Sequence, residues 1–123
     1  MSTVADEIQR LIKFNLRKRL YVAFSFPIVP IDEIVPHIPE HLRYMTEFED
    51  QLFLSGPFIE EGQLVGEGMT VLYADSEEKA AEFMRNEPFV RRGLRRFEMK
   101  LWELREGTLS VTTKVSASSF DLS

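Results

Sequence analysis

At 123 residues, 44% of them hydrophobic and 28% charged, the chain fits one globular domain able to bury a core without disulfide or metal staples. It has no cysteine, which excludes disulfides and thiol chemistry and suits a reducing compartment. A net charge of −5, no long apolar run and no secretory pattern among the first residues argue against nucleic-acid, membrane and secreted roles, so a cytoplasmic protein is expected.

Taken in chain order, the first expected element is a helix over 5–16. Ile8, Leu11, Ile12 and Leu16 fall at helical spacing. Ser2 or Thr3 can cap its start, and Arg17, Lys18 and Arg19 suit its C-terminal end. Residues 20–26 read as the first strand, with Leu20, Val22, Phe24 and Phe26 on one face and Tyr21, Ala23 and Ser25 on the other. Prolines at 27, 30, 36 and 39 then punctuate the chain. They allow one helical turn over 31–35 and a regular helix from Pro39 to about Asp50, because proline is tolerated in a first helical turn and not in a helix interior.

A second strand is expected over 51–57, a polar turn around Gly62 over 59–67, and a third strand over 68–74. Asp75 or Ser76 can cap a helix over 77–86 that buries Ala80, Phe83 and Met84 and stops at Pro88. A fourth strand follows over 94–104, with Phe97, Met99 and Leu101 on one face. The tail alternates at Leu109, Val111, Thr113 and Val115 like a fifth strand, to pair with the fourth or to reach onto a partner. Residues 116–123 read as frayed.

The core order is β-α-β-β-α-β, the split βαβ arrangement. It predicts an α+β, ferredoxin-like sandwich with an extra N-terminal helix. One domain is expected over 1–123, with a helical extension at 1–18, a core at 19–104 and a tail at 105–123. By parity, Tyr21, Phe53, Leu72 and Trp102 fall on the sheet face away from the helices. They are too apolar to stay bare, so a second copy joined sheet to sheet is expected.

The segment from His41 to Trp102 resembles the YCII-related protein family. The likeness is carried by His41-Leu42-Arg43, Leu54-Ser55-Gly56-Pro57, Gly66 and Gly68, Asp75-Ser76-Glu77-Glu78, Glu87-Pro88-Phe89-Val90, Gly93-Leu94 and Trp102. The resemblance implies a dimeric α/β barrel whose pocket holds a histidine and an aspartate as a catalytic pair. Some relatives resemble dehydrohalogenases or muconolactone-isomerase-like proteins that act on aromatic breakdown products. The family's histidine falls on His41. Its aspartate falls on Glu87, where this chain has Glu-Pro in place of Asp-Pro. Glutamate keeps the carboxylate and adds a methylene, which leaves open whether acid/base work is preserved or the pair is unused.

Topology brings the same two residues together independently. In this strand order the first core helix starts at the end of the sheet where the second finishes. His41 sits in the first turn of one and Glu87 just past the last turn of the other. An imidazole beside a carboxylate can act as a general base, and the same contact can equally be a tie between two helix ends. Ser55 is either a ligand contact or a strand-end serine satisfying backbone. No nucleophile elbow surrounds it. Tyr21 and Ser25 either line the cavity or belong to the dimer face.

His37 and His41 are four apart, and Glu87 offers a third metal ligand, but Pro39 breaks the uninterrupted helix such a chelate needs. Arg91, Arg92, Arg95 and Arg96 form a basic cluster. No stacking aromatics surround it in the pattern of a nucleic-acid platform, and a solvated face is the plainer reading. Two functions follow. The first is a cofactor-free lyase or isomerase acting on a small molecule, with His41 as base, Glu87 as its orienter or paired acid and Ser55 as a ligand contact. The second is a non-catalytic small-ligand-binding or assembly protein of the same fold.

Overall fold

The computed structural model describes residues 3–12, 18–106, 111–113 and 120–122. The first helix, α1, spans Val4–Ile12. Thr3 caps it reciprocally: the Asp6 amide donates to Thr3 Oγ1 and the Thr3 amide to Asp6 Oδ2, both at 3.1 Å. Those bonds hold the Asp6 carboxyl below its ordinary range. Leu16 and Arg17 lie outside the described residues. Lys18 and Arg19 belong not to the helix end but to the next strand.

That strand, β1, spans Lys18–Pro27. Two short turns, α2 (Ile31–Ile34) and a 3₁₀ turn at Val35–His37, lead into α3 (Ile38–Glu47). Pro36 falls in the 3₁₀ turn, where its missing N–H breaks no α-helical ladder, and Pro39 sits in the first turn of α3. The helix expected to reach Asp50 ends at Glu47, and Glu49–Gln51 forms a 3₁₀ turn.

Strands β2 (Leu52–Glu60) and β3 (Gln63–Leu72) make a longer hairpin than the sequence suggests. The polar stretch expected as a turn over 59–67 is mostly paired, with Ile59 opposite Leu64 and Glu60 opposite Gln63. Only Glu61 and Gly62 turn the chain. Both have positive φ, 50° and 77°, which is the type I′ geometry that matches strand twist.

Ser76 caps α4 (Glu77–Asn86) by accepting from the Lys79 amide at 3.2 Å. A further helical turn, α5 (Pro88–Arg91), follows directly, before β4 (Arg95–Leu104). In the tail, β5 (Val111–Thr113) pairs with β6 (Phe120–Leu122) in a separate two-stranded sheet. The fifth strand therefore pairs with β6 and not with β4, and part of the stretch expected to fray is a strand. Leu109, Val115 and residues 116–119 lie outside the described set.

The main sheet has the order β2-β3-β1-β4 with every pair antiparallel, the ferredoxin-like arrangement. The helices pack on one face. Ala23 and Leu72 of the sheet meet Met45 of α3 and Ala80, Phe83 and Met84 of α4 there, all buried. Burying a side chain of Leu, Met or Phe size stabilises by about 1.5–3 kcal/mol each. The other face gathers Leu20, Val22 and Val71, flanked by Phe24, Phe53, Met69, Tyr73 and Leu104.

Of the four residues expected on the sheet face away from the helices, two lie there and two do not. Trp102, opposite Leu20, and Phe53, whose ring meets Tyr73, do lie away from the helices. Tyr21 and Leu72 are opposite each other and pack toward the helices. Both faces of β1 are apolar, so alternation alone does not say which one points inward. No helix among the described residues is long and apolar enough to cross a membrane.

Candidate active site

The site begins with the junction between α4 and α5. Pro88 ends the first helix and opens the second, so Glu87 between them is in extended backbone, at φ −63° and ψ 132°, and caps α5. Its Oε2 accepts from the Val90 amide at 3.3 Å. That bond, and the packing of Pro88 and Phe89, take Glu87 out of water to 2% exposure. A carboxylate this buried requires a partner.

The partner is His41, in the first turn of α3. Its Nδ1 meets Glu87 Oε1 at 2.5 Å, within hydrogen-bond reach. An ionised carboxylate only accepts, so Nδ1–H donates and the Nε2 lone pair is left for a ligand. The imidazole stacks on Phe89 with centroids 4.4 Å apart and planes 15° from parallel. Carboxylate and phenyl ring together fix its tautomer and its plane.

His41 and Glu87 open onto a cavity of about 410 Å³, within the size range of small-ligand sites. Leu52, Met45, Met84 and Phe89 supply apolar wall. Ser25, Ser55 and Thr70 add hydroxyls from β1, β2 and β3. Ser25 and Thr70 are buried, and Ser55 Oγ bonds Thr70 Oγ1 at 3.0 Å. Gly56 and Gly68 also line the cavity. A Cβ on Gly68 would fall 2.9 Å from the Gly56 carbonyl oxygen, so glycine is required for β2 to lie this close to β3.

Of the residues singled out from sequence, His41, Glu87, Ser55 and Ser25 therefore share one cavity. Tyr21 does not line it. Its ring packs on the core cluster between sheet and helices, because it opposes Leu72 rather than the strand ends around Gly68. The two histidines have different carboxylate neighbours: His37 Nδ1 lies 4.0 Å from Glu40, while His41 is held by Glu87. Among the described residues no three His, Cys, Asp or Glu side chains gather as a metal set.

The basic cluster divides. Arg91 and Arg92 both bond Glu40 at 2.7 Å, and Arg96 pairs with Glu98 at 3.2 Å. Arg95 behaves differently. It lines the cavity, with its guanidinium 4.8 Å from the Phe89 ring centroid. Sequence reasoning placed it in a solvated face, yet a signal was present. Arg95 is in phase with Phe97 and Met99, the inward stripe of β4, and a charge on an inward stripe is unusual. Thr70 was missed in the same way, in phase with buried Leu72.

Behind the cavity, Tyr44 donates its hydroxyl to the Phe83 carbonyl at 2.7 Å. Burial, and then the nearby Glu87 charge, push its phenol up to about 12.

No family model matches the chain, and no curated protein does. Among solved structures, it is similar to 5-chloro-2-hydroxyhydroquinone dehydrochlorinase from Burkholderia phenoliruptrix AC1100, in complex with 2,5-dihydroxybenzoquinone. The TM-score is 0.60 at 18% identity, and the match covers 68% of this chain and 92% of that one. This likeness, with the strand order described above, establishes the fold: an α+β sandwich of the ferredoxin-like kind.

Proposed function

We propose that the protein is a small-molecule lyase or isomerase that works by acid/base chemistry at His41, without a cofactor. The observation that carries this reading is the 2.5 Å contact between His41 and a buried Glu87, at the wall of a cavity of about 410 Å³. Nε2 of His41 takes a proton from an acidic C–H or O–H of the bound molecule. Glu87 stabilises the imidazolium that forms. The proton then returns to another atom of the substrate in an isomerisation, or a leaving group departs with the electron pair in an elimination. Substrates of aromatic breakdown are consistent with the resemblance to YCII-related proteins. They are also consistent with the structural neighbour, whose name describes a dehydrochlorinase of a chlorinated hydroxyhydroquinone.

The test is turnover of chlorinated hydroxyhydroquinones and unsaturated lactones by purified protein and by His41→Gln. A fall in kcat/KM of about 10²- to 10⁴-fold is expected for the variant, the usual worth of a well-placed general base. Unchanged turnover would remove His41 from the chemistry. A second reading, a non-catalytic binding protein, draws support from the cap that Glu87 provides to α5, a structural use of the same carboxylate. Ligand binding with no turnover by the wild type would favour it.

The reading includes a homodimer. Trp102 is 45% exposed on the sheet face away from the helices, beside half-buried Phe24, Phe53, Met69 and Tyr73.

A further inference from the structure

The cavity contains a cation that nothing among the described residues neutralises by a hydrogen bond. Arg95 enters from the first position of β4, opposite Pro27. Its Nε is buried and has no hydrogen-bond partner, and no described residue accepts from its guanidinium. Six other arginines are engaged by carboxylates: Arg91 and Arg92 by Glu40, Arg96 by Glu98, Arg19 and Arg105 by Glu103, and Arg85 by Glu78. Arg95 lies instead over the face of Phe89, the ring on which His41 also stacks. A buried donor left unmade costs free energy, so such groups in folded proteins normally have a protein, water or ligand partner. Desolvation lowers the Arg95 pKa, and the charge of Glu87 acts in the opposite direction.

The guanidinium is a planar fork that matches two oxygens at once. The same cavity is lined by hydroxyls from Ser25, Ser55 and Thr70 and by the apolar surfaces of Met45, Met84 and Phe89. Apolar wall and a polar fork in one cavity fit a flat, single-ring molecule carrying a negative oxygen pair.

We propose that Arg95 is the anchor for an anionic substrate, so that the cavity selects small planar organic anions, carboxylates or ring enolates, over neutral molecules of the same shape. The inference deepens the acid/base reading and rests on the same cavity. It also adds a role for the cation. Negative charge that develops when His41 removes a proton falls beside a fixed positive group in a partly dry site, where such stabilisation is strongest.

The experiment is calorimetric titration with three probes: benzoate, its neutral isostere benzamide, and 2,5-dihydroxybenzoquinone, an acidic quinone. The proteins are the wild type, Arg95→Met, Arg95→Lys and His41→Gln. Both anions should bind the wild type more tightly than benzamide. Arg95→Met should weaken the anions about tenfold or more, the range for a charge-assisted hydrogen bond, and leave benzamide unchanged. Arg95→Lys should retain part of the preference. Equal affinity of the wild type for benzoate and benzamide, no measurable binding of either anion, or anion affinity unmoved in Arg95→Met would each overturn the proposal. If Arg95→Met does not fold, the benzoate–benzamide comparison on the wild type and the Arg95→Lys variant still decide it. His41→Gln separates the two readings. Anion preference kept in that variant with turnover also kept sinks the acid/base role alone, and preference absent with turnover lost sinks the anchor alone.

Discussion

Tyr44 shows how one side chain ties the core to the candidate site. Its ring packs against Phe48 and Phe83, and its hydroxyl is held by the Phe83 carbonyl. Its phenol titrates at about 12 in the fold, against an ordinary value of 10.0. The folded state thus keeps this proton to higher pH than the unfolded chain does. The stability it contributes is whole below 10.0 and is lost as pH rises through about 12. Tyr44→Phe should therefore be less stable at neutral pH by about 1 kcal/mol, the worth of one hydrogen bond, and should show a shallower alkaline decline. Urea midpoints measured across the alkaline range give both quantities. The decline is not abolished in the variant, because burial also raises the Tyr73 phenol. At the same scale, His41 and Glu87 were legible in the sequence because strand order alone puts their two helix ends together. Arg95 was not, because a run of four arginines within six positions reads as a solvated face until the phase of β4 is known.

Between elements, the joint of α3 and α5 is fastened twice. His41 and Glu87 make the buried fastening. Glu40, one position earlier on α3, makes the exposed one by accepting from both Arg91 and Arg92. The Arg92 hydrogen bond is the main cause holding the Glu40 carboxyl below its ordinary 4.5, with the charges of Arg92, Arg91 and His37 adding and desolvation opposing. Such a group contributes stability above 4.5 and loses it as pH falls through the lower folded value. Glu40→Gln should accordingly be less stable than the wild type at neutral pH. The gap between the two should close in acid, read from thermal melts on either side of 4.5. The limits of sequence reading also show here. Ser76 and Pro88 marked both ends of α4 because a cap and a ring constraint act locally. The same Pro88 hid α5, since a proline that stops one helix is also a favourable first residue of the next. The β2–β3 hairpin was cut short on paper because its tip residues are polar, although the Glu61-Gly62 turn lets them pair.

For the molecule as a whole, the sheet has two apolar faces, and the helices cover one. This explains why the fold class was legible while the facing of Tyr21 and Leu72 was not: element order fixes topology, and a strand apolar on both sides leaves its orientation to the register with its neighbours. It also bears on assembly. Trp102 stands on the uncovered side, in line with Leu20. If a second copy covers that side, Trp102→Arg should convert a dimer to a monomer in light scattering coupled to size-exclusion chromatography, with the far-ultraviolet circular dichroism of the sheet retained. A wild-type monomer at micromolar concentration, or a dimer untouched by the substitution, would count against sheet-to-sheet pairing.

Glu87 carries one last implication. Each of its oxygens already holds an N–H, one from His41 and one from Val90. With both oxygens engaged, the part of the carboxylate in the proposed chemistry is to orient the imidazole rather than to act as a second acid. In the proposed chemistry, proton traffic then has a single door, Nε2 of His41. In the isomerisation arm of that proposal, a proton collected there is handed back from there, so the expected stereochemical course, read by deuterium labelling of the product, is suprafacial.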